Sequence, residues 1–170
     1  MVLQVFSDGS CVHNGRPGAR AGVGVYATQD GKEVHRHSAA LAKSEPQTNQ
    51  RAELQALYYA LRFIQGTAGI TGSEGSILYT DSQYSINCVT VWSTAWKAKG
   101  WLKADKKPVL HQDILKPMVE LWETLKGSTT MQHVAAHTGR GDAISRGNAV
   151  ADQLATAATE PITSATITWA

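Results

Sequence analysis

The apolar positions change period along the chain, and each change predicts a different element. Leu3 and Val5 ahead of Asp8-Gly9 predict a strand ending in a turn, and Gly22-Val23-Gly24-Val25-Tyr26-Ala27 predicts a second strand. A third is expected over Glu33–Ala42. From Thr48 the spacing turns helical, with Leu54, Leu57, Leu61 and Ile64 on one stripe closed by Gly66. Ser76–Thr80 is a short β-prone run, and helical spacing resumes over Ser82–Trp92, with a shorter piece over Ser93–Lys99. His111–Lys126 carries Ile114, Leu115, Met118, Leu121, Trp122 and Leu125 on its apolar side, with Pro108 and Pro117 expected to limit these helices. Thr130–Ala136 predicts a fifth strand, Thr138–Gly147 a polar loop, and Asn148–Ala158 a last helix capped by Ser145 or Asn148. The order βββαβα(αα)βα defines an α/β chain with an antiparallel half and a βαβ half, whose sites gather at strand carboxyl ends. The segment Glu160–Ala170 alternates Ile162, Ala165, Ile167 and Trp169 with Ser and Thr; it reads either as a short extra strand or as a frayed tail.

With 170 residues, 42% hydrophobic and 18% charged, the chain is sized and composed as one globular domain. No apolar run approaches the roughly 20 residues that span a bilayer, and Met1–Phe6 lacks the features of a leader, so an intracellular, cytoplasmic chain with no membrane partner is expected. Cys11 and Cys88 are far apart and form no CxxC pair, which argues against a zinc site or a disulfide framework. The net charge of +2 conceals an asymmetry. Lys97, Lys99, Lys103, Lys106 and Lys107 stand against Asp105 in one short stretch, a local +4 that leaves about −2 for everything else. Such a patch is either a solvated helix end or a footprint for a polyanion.

The acidic residues narrow the chemistry. Asp8 and Asp81 each follow a predicted strand, where a turn residue and a helix cap are the plain readings. Glu53 lies on the edge of the Leu57, Leu61 and Ile64 stripe, so its carboxylate needs a cation or hydrogen bonds. Asp152, one turn into the last predicted helix, shares a face with Asn148. If the first and fourth strands are neighbours, Asp8 and Asp81 meet at one sheet edge and the two helices bring Glu53 and Asp152 over it. Four converging carboxylates call for divalent cations, and hard oxygen ligands favour Mg2+ over zinc. Two such ions suit metal-assisted phosphodiester hydrolysis. The histidines read more plainly. His133 and His137 on a strand would stand roughly 13 Å apart, too far for one ion. His35 and His37 share a strand face and are expected simply at the surface.

Taken in order, Asp8-Gly9-Ser10 with Gly22–Val25, Thr48-Asn49-Gln50-Arg51-Ala52-Glu53-Leu54, Tyr79-Thr80-Asp81-Ser82, and His137 followed by Gly147-Asn148 and Ala151–Ala155 resemble the type 1 ribonuclease H family over nearly the whole chain. The resemblance implies a five-stranded mixed sheet flanked by helices, with a basic protrusion and a catalytic domain over 1–159. It also implies cleavage of the RNA strand of RNA/DNA hybrids, leaving 3′-hydroxyl and 5′-phosphate ends. On this likeness Asp8, Glu53, Asp81 and Asp152 hold two Mg2+ ions, with Mn2+ as a substitute, and His137 aids product release or proton transfer. Cys11, His13, Asn14, Asn49 and Gln50 fall where the family contacts the minor groove, whose 2′-hydroxyls distinguish RNA from DNA. Trp92, Trp96, Lys97, Lys99, Trp101 and Lys103 match the protrusion, Trp96 as a substrate contact and Trp92 and Trp101 as packing residues, with Tyr84 near the DNA strand. Thr48 belongs to a DNA-phosphate pocket in which Pro46 and His111 replace an Arg and an Asn of the animal enzyme. Asn148 belongs to the same site, and Ala149 stands where many members carry an acid.

The long His137-to-Asp152 spacing is similar to retroviral members, which places a larger polymerase polyprotein beside a free monomer as the natural context. Two other functions compete: a junction resolvase or transposase-type nuclease of the same fold, and a hybrid-binding module that no longer cuts.

Overall fold

The structure, a computed structural model, describes residues 2–67, 75–135 and 141–160. Strands β1 (Leu3–Val12), β2 (Arg20–Gln29) and β3 (Lys32–Ala40) form an antiparallel meander. Strands β4 (Ser76–Thr80) and β5 (Thr129–His133) then add to β1 in parallel, giving one five-stranded mixed sheet in the order β3-β2-β1-β4-β5. The expected neighbourhood of the first and fourth strands is present, with Ser7 opposite Thr80. Asp8 is therefore set beside Asp81, the residue that follows β4.

Helix α1 (Asn49–Thr67) buries Leu54, Leu57, Leu61 and Ile64 against Leu3, Val5, Val25 and Leu78. Helix α4 (Gln112–Leu125) joins that core through Leu115, Met118 and Trp122. Between them run the short helices α2 (Gln83–Asn87) and α3 (Ser93–Ala98), joined by a five-residue π-helical segment, Cys88–Trp92. On the other face α5 (Ala143–Ala158) lies over β1 and β2, with Phe6, Tyr79 and Ala151 buried together. Among the described residues no helix is long and apolar enough to cross a membrane.

Five local expectations need correction. The Asp8-Gly9 pair is not a turn. β1 continues through it, Asp8 opposite Gly24 and Gly9 opposite Val23, and the chain reverses only after Val12. Gly9 is needed for closeness instead of for bending: a Cβ there would stand 2.5 Å from the Ala52 carbonyl carbon and 2.8 Å from Ala52 Cβ, and would strike the Glu53 backbone nitrogen. α5 begins earlier than expected, capped by Asp142, whose carboxylate accepts the Ser145 N–H at 2.8 Å; Gly147 and Asn148 are thus inside the helix. Pro117 lies inside α4. The carbonyl it leaves without a helical donor belongs to Asp113, in the exposed first turn where water can serve. β5 stops at His133, three residues short of the expected end. Finally, His35 and His37 are half-buried: His37 stacks on Tyr59 with ring centroids 3.9 Å apart, and His35 stacks on Phe63 at 4.4 Å while its Nε2 meets the Tyr59 hydroxyl at 2.7 Å.

Candidate active site

Asp8, in the middle of β1, and Glu53, in the second turn of α1, are both buried, and Asp81 follows β4 half-buried. Their carboxylates each offer an oxygen within 4.8 Å of the others. Asp152, the tenth residue of α5, approaches from the opposite face and hydrogen-bonds with Asp8. The close helix approach that makes this possible is two-sided. Gly9 admits α1; at Gly24, directly opposite Asp8, an added Cβ would meet Ala155 N at 2.5 Å and Leu154 Cβ at 2.9 Å, so only a glycine lets α5 settle there.

Packing carboxylates this tightly perturbs them. Burial, then repulsion from Glu53 and Asp81, pushes the Asp8 carboxyl far up, to about 11. Burial also raises Glu53, to about 8, and the hydrogen bond with Asp8 offsets part of the rise. The pair shares a proton because two bare charges in that space are untenable. Two further oxygens await positive partners: Glu53 Oε2 and the Asn148 amide oxygen, one helical turn from Asp152, are buried without hydrogen-bond partners. A set of hard oxygens with buried, unpaired acceptors fits small divalent cations such as Mg2+.

The expected substrate residues fall into two groups. At the first, the end of β1 faces the start of α1. The Asn14 side-chain oxygen accepts the Asn49 N–H at 3.2 Å, the Cys11 thiol donates to the Gln47 carbonyl at 3.4 Å, and Thr48 Oγ1 accepts the Arg51 N–H at 3.2 Å. His13, Asn14, Asn49 and Gln50 are exposed along this strip. At the second, Lys97, Lys99 and Lys103 project from an aromatic ladder in which Tyr84, Trp92, Trp96 and Trp101 lie successively about 6 Å apart between ring centroids (5.8, 5.9 and 6.1 Å). Trp101 is buried as a packing residue, whereas Trp92, expected to be one too, is 38% exposed. His137 lies outside the described residues.

His111 caps α4 in a left-handed conformation (φ 64°), with Nδ1 3.4 Å from Arg51 Nη1. Burial, and then the Arg51 charge, lowers its pKa from the ordinary imidazole value. Arg51 itself is absent from the residues singled out by sequence. Its guanidinium is 4% exposed and donates to Asp113 at 2.6 and 2.8 Å and to Glu45 at 2.9 and 3.2 Å, with Gln55 also on Glu45. Its place three residues before Leu54, on the buried stripe, was the available signal: a cation there requires acids from elsewhere in the chain.

Beyond this geometry, the sequence profile of RNase H matches residues 2–160. The chain belongs to the RNase H family. It is 37% identical over 161 residues to a Ribonuclease H of Cyanothece sp., covering 89% of this chain and 92% of that one. With the mouse Ribonuclease H1 it shares 34% over 151 residues, which span 48% of the mouse protein. These relatives make it a ribonuclease H enzyme. Among solved structures it is similar to the PFV RNase H domain (TM-score 0.74, 26% identity, 92% of this chain and 93% of that one). It shares its fold with LC11-RNase H1, solved in complex with RNA/DNA hybrid (TM-score 0.60, 22% identity, 92% and 96% covered). In the Prototype Foamy Virus Protease-Reverse Transcriptase the matching region is 21% of a longer chain.

Proposed function

We propose that this RNase H family member hydrolyses the RNA strand of RNA/DNA hybrids with little regard to sequence, using two divalent ions, Mg2+ or Mn2+, and leaving 3′-hydroxyl and 5′-phosphate ends. One observation carries the reading: Asp8, Glu53 and Asp81 present oxygens within 4.8 Å of one another at the foot of a polar strip. Asp8, Glu53, Asp81 and Asp152 would hold the ions. When bound, the ions supply the positive charge that makes water nucleophilic at neutral pH and offsets the charge developing on the departing 3′ oxygen.

The chain's own groups do the rest. Asp8 and Glu53 give up their shared proton on loading, because a neighbouring cation reverses the repulsion that raised them. The Asn148 amide oxygen, buried and unpaired, faces the same demand for a positive partner. Cys11, His13, Asn14, Asn49 and Gln50 read the minor groove, while Thr48 and His111 grip a phosphate of the DNA strand. Lys97, Lys99 and Lys103 engage phosphates, with Tyr84 and Trp96 against sugars or bases; such contacts position the duplex without reading sequence. His137 assists proton transfer or product departure. Residues 1–159 form the catalytic unit, acting as a monomer or within a polymerase polyprotein.

The test is direct. Labelled hybrid, duplex DNA and duplex RNA are incubated with purified protein, with and without Mg2+, and the product ends are mapped. Mg2+-dependent cutting confined to the RNA strand of the hybrid is expected. Equal cleavage of duplex DNA, or hybrid binding without any cutting, would refute the proposal.

A further inference from the structure

Gln47 carries no chemistry of its own, yet its hydrogen-bonding side chain is engaged at both ends. β3 stops at Ala40, and the following residue, Leu41, still donates its N–H to the Ala21 carbonyl at 2.9 Å. In an antiparallel pair the return bond from the Ala21 N–H would go to the Leu41 carbonyl. Here that N–H donates instead to Gln47 Oε1, at 2.9 Å. The side chain thus stands in for backbone at the point where the chain leaves the sheet. Its Nε2 spends both hydrogens on the loop it closes, donating to the Ala42 carbonyl at 2.9 Å and the Glu45 carbonyl at 3.0 Å. The Gln47 carbonyl in turn accepts the Cys11 thiol. The next residue is Thr48, which caps the first turn of α1, and after it comes Asn49, bound to Asn14.

We propose that Gln47 is a positioning residue for the hybrid: by tying the start of β2 to the loop over residues 42–45, it fixes the place of Thr48, Asn49 and Gln50 relative to Cys11 and Asn14. This deepens, and rests on, the hybrid reading of the strip. The four carboxylates are held from elsewhere, by β1, β4, α5 and the buried stripe of α1. Gln47 therefore acts on substrate affinity and leaves the hydrolytic step alone.

The experiment uses the full chain with Gln47→Ala and Gln47→Glu. The second variant retains an acceptor for Ala21 and loses both donors, so it preserves the sheet end while freeing the loop. With Mg2+ and labelled hybrid, Gln47→Ala is expected to raise KM about tenfold with kcat within about twofold, and Gln47→Glu to raise it by less. Unchanged KM in both variants, or a fall in kcat at constant KM, overturns the inference. Hydrogen exchange provides a readout independent of substrate. Amides over residues 42–50 should exchange faster in Gln47→Ala while those of β1 over residues 5–8 keep their protection; unchanged protection of 42–50 also overturns it. A parent chain that fails to cut hybrid refutes the substrate reading. A parent that cuts, with variants kinetically identical to it, refutes only the role of Gln47.

Discussion

Replacing Gly9 by Ala adds one methyl group at the point where β1 and α1 touch. The new carbon would sit 2.5 Å from the Ala52 carbonyl carbon, where ordinary contact begins at 3.4 Å, so about 1 Å of separation must come from backbone movement. Neither side can yield through a rotamer, since the obstructing atoms are mostly main chain. Such overpacking costs about 1–3 kcal/mol of stability. The more telling effect is on Glu53, whose backbone nitrogen is among the atoms struck. Shifting its carboxylate by about 1 Å relative to Asp8 and Asp81 is expected to cut kcat by on the order of a hundredfold. Thermal melting, Mg2+ titration calorimetry and steady-state cleavage of labelled hybrid measure the three consequences separately. Gly127→Ala serves as the control, because a Cβ there meets nothing within 4 Å. A Gly9→Ala protein that melts and cuts like the parent would refute the claim that this helix approach sets the carboxylate geometry.

Asp81→Asn should abolish turnover with little loss of hybrid affinity; a variant cutting at the parental rate removes Asp81 from the mechanism. The metal-free protein should lose stability as pH rises from 5 to 9: Asp8 and Glu53 titrate higher folded than unfolded, so their contribution is full below the ordinary carboxylate range and is lost on passing upward through about 8 for Glu53. Mg2+ should then stabilise more at pH 9 than at pH 5, and melting curves in chelator and in Mg2+ that stay parallel across this range would contradict it. Lys97→Ala with Lys99→Ala should raise KM and flatten the salt dependence by up to about two units of log–log slope, roughly 0.7–0.9 for each phosphate no longer neutralised; unchanged salt dependence would discard the patch as a handle on substrate.

The element order was legible because apolar period alone separates the three early strands from α1, and because Glu53 falls on a stripe whose other members are buried. The misreadings share a physical origin. Asp-Gly has the same composition whether the glycine supplies a turn or makes room for a helix, and only the packing of Ala52 and Glu53 against β1 decides. Ser145 and Asn148 are as good caps as Asp142, so the start of α5 depends on Gly147, whose missing side chain leaves space for the Phe6 ring. Arg51, Glu45 and Asp113 escaped notice because their pairing joins residues up to 62 apart in sequence, which no local pattern encodes. The histidines of β3 were misjudged for the same reason, since Tyr59 and Phe63 come to them from another element.

The π-helical stretch Cys88–Trp92 sets the azimuth of everything that follows it. Its wider turn holds one residue more than an α-turn between hydrogen-bonded partners, so removing a single residue there would restore a continuous spiral and rotate α3 by roughly 100° about its axis. Lys97 and Lys99 would then point a quarter-circle away from their present heading, although no lysine had been altered. Chain length in this stretch is therefore a dial for aiming the cationic arm, and related chains that differ there by one residue should grip the duplex at a different angle.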